Sequence, residues 1–327
     1  MTEPMIHTNG LTRHFVVKNE TVTAVAGLDL HVEPGELVAL LGPNGAGKST
    51  TLRMLTTLLA PTSGTARVAG YDVVTHQRGV RSRIGYIGQG NGAGHSQHGR
   101  DELVGQGRAY GMTKATAKAR ADELIESLDL AAVADRMVSS LSGGQRRRLD
   151  IAMGLIHSPA LLFLDEPSTG LDPQNRANLQ DHIRRLRAEH GTTIVLTTHY
   201  LDEADQLAER VIVIDHGKLI ADDTPARLKA EHARDRITLT FDTAGQAAEI
   251  VRHPALGIVA GADIRQAGTT VVIDLDGAAR LAQKLLRALD DALIELARVE
   301  VTQPTLDDVF LNLTGRSLRD ETQGASK

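Results

Sequence analysis

One segment constrains the fold of this chain more than any other: the apolar run Leu37–Leu41, which leads directly into the glycine-rich loop Gly42–Ser49. An uninterrupted apolar run of this length predicts a strand buried on both faces of a sheet. The loop reads Gly42-Pro43-Asn44-Gly45-Ala46-Gly47-Lys48-Ser49 and matches the pattern G-x-x-x-x-G-K-[ST]. A strand, this loop and a following helix together predict a phosphate-binding site in an α/β fold.

The capture of an anion explains the residue types in this loop. Glycines allow successive backbone N–H groups to turn inward around a phosphate, and the helix predicted to begin near Lys48 adds its positive N-terminal end. Lys48 would reach the β- and γ-phosphates of a nucleotide, and Ser49 would ligate Mg²⁺. A chance match in a glycine-rich chain is the alternative, which the preceding strand and the following helix disfavour.

A second buried strand, predicted over Ala160–Leu164, ends in the two carboxylates Asp165 and Glu166. Charges at the end of a doubly buried strand are costly unless they meet a cation. Asp165 would hold Mg²⁺ through water. Glu166 would point the other way in an extended chain and face an attacking water as a general base. The alternative is a pair of solvated acids at a strand end.

A third motif, Leu141-Ser142-Gly143-Gly144-Gln145, precedes a predicted helix. Ser142 is a good N-cap, and the two glycines can present bare N–H groups to a phosphate. An ordinary Ser/Gly helix cap explains the motif equally well when it is taken alone. We interpret most of the basic run Arg146–Arg148 that follows as a solvated helix face.

Strands alternating with helices predict a mainly parallel α/β core up to about residue 230. The charged run Lys229–Arg236 is interpreted as a linker. The patterns beyond it predict a ferredoxin-like β-α-β-β-α-β order, with strands 236–241, 257–264, 269–275 and 293–301 and helices 244–252 and 278–290. We also expect a last helix over 305–313 and a disordered tail over 316–327.

Composition excludes several classes of function. The chain has 36 Lys+Arg against 41 Asp+Glu, and only 2% aromatic residues, which argues against a general nucleic-acid binder. The absence of Cys excludes a disulfide scaffold, a thiolate metal site and a Cys nucleophile. The sequence shows neither an apolar run of about 20 residues nor a secretory signal, so we expect a location in the cytosol or at its membrane face.

Taken in order, these motifs resemble the ATPase domains of ABC transporters over about residues 5–225. Gln89, the segment Ser168–Asp172 and the pair Thr198-His199 complete the set. The resemblance implies a P-loop NTPase fold, with a mixed α/β core and antiparallel β and helical subdomains. It places an ATP-binding domain over 1–230, with its helical subdomain over about 90–158, and a small C-terminal α+β domain over 231–315.

The resemblance also implies roles for individual residues. Gly42–Thr50 is similar to the Walker A loop, Ser142–Gln145 to the signature motif, Asp165 to the Walker B aspartate, and Ser168–Asp172 to the D-loop. The implied catalytic residues are Glu166, His199 as the switch histidine, and Lys48. The implied nucleotide-binding residues are Phe15, Gly42, Pro43, Asn44, Gly45, Ala46, Gly47, Lys48, Ser49, Thr50, Ser142, Gly143, Gly144 and Gln145, and the implied Mg²⁺-binding residues are Ser49, Gln89 and Asp165. Phe15 would stack on adenine, with a place in the core as its alternative.

Within this family the chain is most similar to the ATP-binding subunits of daunorubicin/doxorubicin-resistance exporters, partly through Pro304–Leu311 outside the ATPase core. That implies ATP and Mg²⁺ as cofactors and a head-to-tail homodimer around two ATP molecules. It also implies a separate ABC-2 type membrane permease that carries the drug, with this chain at the cytoplasmic face of the plasma membrane and without a nucleic-acid partner.

Two other functions stay open at this stage. One is an ATPase subunit of another ABC exporter or importer, for a lipid or a different substrate. The other is a soluble ABC ATPase that acts on ribosomes or DNA, which the single set of motifs and the lack of heptads disfavour.

The glycine-rich segment Gly90–Gly99 departs from the family pattern. We interpret it as a flexible loop rather than a metal site, because His95 and His98 have no evident third ligand.

Overall fold

The computed structural model describes residues 3–90, 92–94 and 96–315. They form two compact units, which meet in the sequence at Pro225 and Ala226. The tail predicted over 316–327 lies outside the described residues. None of the helices in the described part of the chain is both long enough and apolar enough to cross a membrane.

The strands of the first unit form two sheets. In chain order they are β1 (Ile6–Val17), β2 (Glu20–Leu28), β3 (His31–Val32), β4 (Leu37–Leu41), β5 (Ser63–Val68), β6 (Tyr71–Asp72), β7 (Ile84–Ile87), β8 (Leu161–Asp165), β9 (Thr193–Thr198), β10 (Arg210–Asp215) and β11 (Lys218–Asp223). One sheet is antiparallel with the order β2-β1-β5-β6, and β3 pairs with β1. The other has the order β11-β10-β4-β9-β8-β7 and is parallel except for β11.

Every residue of β4 and β8 is buried, as their continuous apolar runs predict. The two strands flank β9 in the parallel sheet, so their carboxyl ends meet at one edge. The loop after β4 and the two acids at the end of β8 are therefore brought together by the register of the sheet. Ligands of open α/β sheets bind at this edge.

Helices cover this sheet and form the segment between β7 and β8. They are α1 (Lys48–Leu55), α2 (Gln77–Arg83), α3 (Gly99–Ala109), α4 (Lys114–Ser127), α5 (Gly143–Leu155), α6 (Pro173–His190) and α7 (Leu201–Leu207). Helix α6 begins as predicted, since Asp172 caps it and Pro173 takes its first position. Helix α3 begins at Gly99, the last residue of the segment interpreted as a flexible loop, and no helix is predicted there from the sequence. The sequence pattern of this helix is weakly amphipathic, because its buried face consists of one large residue, Leu103, and the two glycines Gly99 and Gly107.

The second unit contains an antiparallel sheet with the order β13-β14-β12-β15. Its elements are α8 (Pro225–His232), β12 (Asp235–Thr240), α9 (Ala244–Ile250), β13 (Asp263–Ala267), β14 (Thr270–Leu275), α10 (Ala278–Asp291), β15 (Arg298–Thr302) and α11 (Leu306–Thr314). From β12 to β15 the order is β-α-β-β-α-β. The strand predicted over 257–264 is wrong in its first half, because Pro254 and the His253 cap start a 3₁₀ helix, Pro254–Val259.

Candidate active site

The loop between β4 and α1 has a backbone that requires glycine. Gly47 caps α1 with φ 104°, and Gly45 has φ 81°. A Cβ atom on Gly42 would lie 2.1 Å from the carbonyl oxygen of Ile214, and one on Gly47 would lie 2.4 Å from that of Ala24. The glycines therefore serve both turn geometry and close packing of the loop against neighbouring backbone.

Lys48 folds back over this loop. Its ammonium donates to the carbonyl oxygens of Gly42 at 2.6 Å and Pro43 at 2.9 Å, and its side chain is only 4% exposed. Burial lowers the pKa of Lys48, while the nearby carboxylates of Glu166 and Asp165 oppose that shift. The lysine thus places a buried positive charge at the loop, where a nucleotide phosphate would bind.

Asp165 lies within a cluster of oxygen-bearing side chains. The hydroxyls of Ser49 and Thr197 donate to its Oδ1 atom at 2.9 Å and 2.7 Å, and the carboxylate is 1% exposed. The amide nitrogen of Gln89 lies 3.3 Å from the Ser49 hydroxyl oxygen. A hydroxyl, a carboxylate and an amide are the hard oxygen donors that Mg²⁺ prefers, so these residues fit that ion.

Glu166 leaves the strand in a left-handed conformation, with φ 48°. Its N–H lies 3.1 Å from the carbonyl oxygen of Thr197 and 2.9 Å from its hydroxyl oxygen. Its Oε2 atom accepts a hydrogen bond from the hydroxyl of Thr169 at 3.2 Å and lies 3.4 Å from His199 Nδ1. The His199 imidazole lowers the pKa of Glu166, and Lys48 adds to that effect against the cost of burial.

These contacts overturn the interpretation of Asp165 and Glu166 as solvated acids, because Asp165 is buried and the Glu166 side chain is 12% exposed. The Oε1 atom of Glu166 lies 3.9 Å from Lys48 Nζ. The structure therefore brings together Lys48, Ser49, Gln89, Asp165, Glu166 and His199, which the sequence spreads over about 150 residues. A buried lysine, an ionised glutamate and a group of oxygen donors suit the hydrolysis of a bound phosphoanhydride.

Comparison with known proteins supplies a family for this geometry. Residues 25–169 match the family model described as ABC transporter. Residues 224–314 match the model described as ATP-binding protein DrrA1-3-like, C-terminal domain. The chain is 46% identical to the daunorubicin resistance ATP-binding protein DrrA3 of Streptomyces coeruleorubidus, covering 90% of this chain and 92% of that protein. The chain belongs to the ABC transporter family.

Two further comparisons agree with this assignment. The chain is 44% identical to the daunorubicin/doxorubicin resistance ATP-binding protein DrrA of Streptomyces peucetius, covering 97% of this chain and 94% of that protein. It is 25% identical to a bacterial ABC transporter cassette solved as a dimer, with a TM-score of 0.62, covering 67% of this chain and 98% of the cassette. The fold class and the family predicted from the sequence are confirmed.

The segment expected to be the ABC signature begins α5. Ser142 and Gln145 form a capping box, in which each side chain accepts a hydrogen bond from the other residue's backbone N–H. A Cβ atom on Gly144 would lie 2.3 Å from Asn175 Oδ1, so glycine there also allows α5 to approach the start of α6. The capping box fits the interpretation as a helix cap, and Gly144 also packs against a second helix, so the phosphate-binding role of this segment stays a prediction.

Phe15 lies on β1 and is half-buried, so it does not belong to the core as the alternative interpretation required. The guanidinium carbon of Arg13 lies 4.7 Å from the centre of its ring.

The segment after Gln89 is anchored by Asp150, whose Oδ1 accepts from the N–H groups of Gly92 and Ala93 at 3.0 Å. Among the described residues, no group of three or more acidic or His side chains is placed to hold a metal ion by itself.

Sequence reasoning missed three buried residues around this ABC-type site: Arg147, Thr197 and Glu203. Arg147 is 8% exposed, which contradicts the interpretation of the basic run as a solvated face at this position. The signal was available, because Arg147 follows Gly144 by three residues and precedes Ile151 by four, and all three lie on the buried face of α5. Neither Thr197 nor Glu203 carries a comparable signal in the sequence.

Proposed function

We propose that this chain is the ATP-hydrolysing subunit of an exporter that moves a drug or antibiotic through a separate membrane protein. The observation that carries this proposal is the phosphate loop beside the buried pair Asp165 and Glu166, in a chain that is similar along nearly its whole length to resistance ATP-binding proteins. The match to a DrrA1-3-like C-terminal domain supports the exporter subgroup, because it lies outside the ATPase unit.

In the proposed reaction, Lys48 binds the β- and γ-phosphates of ATP and exchanges its bonds to loop carbonyls for bonds to phosphate oxygens. Glu166 stays ionised at neutral pH, orients the attacking water and accepts its proton. Thr169 donates a hydrogen bond to the Glu166 carboxylate, and His199 Nδ1 lies 3.4 Å from it. His199 would contact the γ-phosphate. Ser49, Gln89 and Asp165 would hold Mg²⁺, which supplies charge neutralisation to the phosphates.

Binding of ATP would join two copies of the chain head to tail. The backbone N–H groups at the start of α5, from Ser142 to Gln145, would face the phosphates of an ATP held by the loop of the other copy. The dimeric ABC transporter cassette supports such an assembly. Loss of the γ-phosphate would reopen the pair, and this cycle of closing and opening would move the membrane protein between its states.

The membrane partner is proposed to be an ABC-2 type permease, with the chain at the cytoplasmic face of the membrane. We place the docking site for this partner at the glycine-rich segment after Gln89, where a cavity of about 210 Å³ lies beside Gly90 and Gly92. It is lined by Tyr86, Gly88, Gly90, Gly92, Tyr110 and Asp150, among others.

Expression in a drug-sensitive host tests the proposal. Purified chain should hydrolyse ATP in the presence of Mg²⁺, and chain extracted from membranes should carry a multi-spanning protein with it. Co-expression of the two proteins should raise resistance to an amphipathic drug, and Glu166→Gln should abolish that resistance. Recovery only with ribosomes or DNA would contradict the exporter assignment, and absence of ATP turnover would contradict the ATPase assignment.

A further inference from the structure

Arg147 makes contacts that set it apart from the two arginines beside it on α5. Its Nε atom donates to the carbonyl oxygen of Pro167 at 3.0 Å. Its Nη1 atom donates to the carbonyl oxygen of Gly88 at 2.7 Å, and its Nη2 atom to that of Asp165 at 3.3 Å. One planar guanidinium therefore binds main-chain carbonyls from two separate loops of the site.

These carbonyls belong to the residues that flank the chemistry. Asp165 and Pro167 lie on either side of Glu166, and Gly88 directly precedes Gln89. Glu166 has a left-handed φ of 48°, which a residue other than glycine keeps only where its surroundings hold it. Thr197 fixes the Glu166 N–H from the side of the sheet. Arg147 fixes the carbonyls before and after Glu166 from the side of α5.

Arg147 makes these three hydrogen bonds from a buried position, although its guanidinium is charged. The residue is 8% exposed, and burial lowers the pKa of its guanidinium while Asp150, Asp165 and Glu203 oppose that shift at longer range. A buried cation is costly unless its donors are satisfied. Here all three nitrogens are used, and the rigid planar fork matches carbonyls at three fixed positions in a way that a lysine ammonium cannot.

We propose that Arg147 is a positioning residue, which ties helix α5 to the backbone that carries Glu166 and Gln89. The proposal rests on the proposed ATPase function for its kinetic readout. Because Arg147 lies on α5, a shift of this helix at its ATP-facing start is transmitted through the guanidinium. The carbonyls on both sides of Glu166 and the carbonyl of Gly88, before Gln89, then move together. The general base is then set by the same helix that is proposed to contact the ATP of the partner copy.

The variant Arg147→Lys keeps the charge and loses the fork. Arg148→Lys is its control, because it makes the same change at the next, half-buried position of α5. We expect kcat for ATP hydrolysis to fall about 10- to 100-fold in Arg147→Lys, with KM for ATP changed less than about 3-fold, since the phosphate loop is untouched. Arg148→Lys should keep the wild-type kcat.

A double variant separates positioning from general weakening of the protein. If Arg147 acts through Glu166, Arg147→Lys should lower the residual rate of Glu166→Gln by less than about 2-fold. Hydrogen exchange in nucleotide-free protein supplies a readout that does not depend on activity. Peptides spanning residues 165–169 should exchange faster in Arg147→Lys than in Arg148→Lys, while peptides from the phosphate loop should be unchanged.

The outcomes are distinct. Equal kcat and equal exchange in the two lysine variants would overturn the proposal. It would also be overturned if Arg147→Lys lowered the rate of Glu166→Gln by as large a factor as it lowers the wild-type rate. Loss of turnover in wild type and Arg148→Lys alike would refute the ATPase function instead, and the exchange comparison would then decide the role of Arg147. If Arg147→Lys does not fold, Arg147→Gln replaces it. Failure of both to fold beside a folded Arg148→Lys would overturn the proposal in favour of a purely structural role.

Discussion

Thr197 provides a direct test of how the two site acids are held. Its hydroxyl donates to Asp165 Oδ1 at 2.7 Å, lies 2.9 Å from the N–H nitrogen of Glu166, and is fully buried. Thr197→Val keeps the shape of the side chain and removes the hydroxyl. A hydrogen bond to a charged acceptor contributes about 1.5–3 kcal/mol, so we expect the free energy of unfolding to fall by about 2–3 kcal/mol.

Thr193→Val is the matched control, because Thr193 lies on the same strand with 1% exposure and accepts one neutral bond, from the Gly35 N–H at 2.9 Å. Its cost should be about 1 kcal/mol. Urea unfolding of the full chain measures both changes. ATP turnover should fall about tenfold or more in Thr197→Val alone, because Asp165 and Glu166 lose a shared support. Equal losses of stability together with unchanged turnover would refute this reasoning.

Three further predictions concern other parts of the site. Burial raises the pKa of Glu203 above its unfolded value of about 4.3. The folded state therefore holds the proton more tightly, which stabilises it fully below about pH 4.3, and this stabilisation is lost as pH rises through the folded pKa. Glu203→Gln should remove this loss, and the exposed Asp202→Asn should not, when unfolding free energies are compared between pH 4 and 8. Gly42→Ala should weaken ATP binding more than about tenfold in calorimetry, because its Cβ would meet backbone at 2.1 Å. Gly105→Ala on α3 is the control, because a Cβ atom there has no other atom within 4 Å. This variant should bind ATP normally, and its free energy of unfolding should rise by about 0.5–1 kcal/mol. Phe15→Leu should weaken ATP binding about tenfold if the ring stacks on adenine, whereas an unchanged dissociation constant would exclude that role.

The sequence predicts the parts of this fold whose signals are local. The apolar runs of β4 and β8 and the glycine pattern between β4 and α1 each depend on a few adjacent residues. Together they predict the parallel sheet and the edge where the site lies. The cap and proline that start α6 are equally local, and the structure has them as expected.

The parts that the sequence could not predict depend on contacts between distant segments. The helical spacing of Arg147 from Gly144 and Ile151 indicates that it lies on the buried face of α5, but no local pattern indicates that it binds the carbonyls of residues 88, 165 and 167. Thr197 lies in a threonine-rich strand in which its bond to Asp165 is set by sheet register. The 3₁₀ helix at Pro254 is an exception, because its signals are local: the proline and the His253 cap outweigh the apolar pattern that predicted a strand.

The central claim is that Glu166 drives hydrolysis of an ATP that two copies of the chain hold between them. The most direct measurement is the molecular mass of Glu166→Gln in solution, with Mg-ATP and with Mg-ADP, alongside its ATP turnover. We expect a stable dimer with ATP, a monomer with ADP, and turnover lowered by about 10²-fold or more. Wild-type turnover in this variant, or a monomer at saturating ATP, would contradict the account.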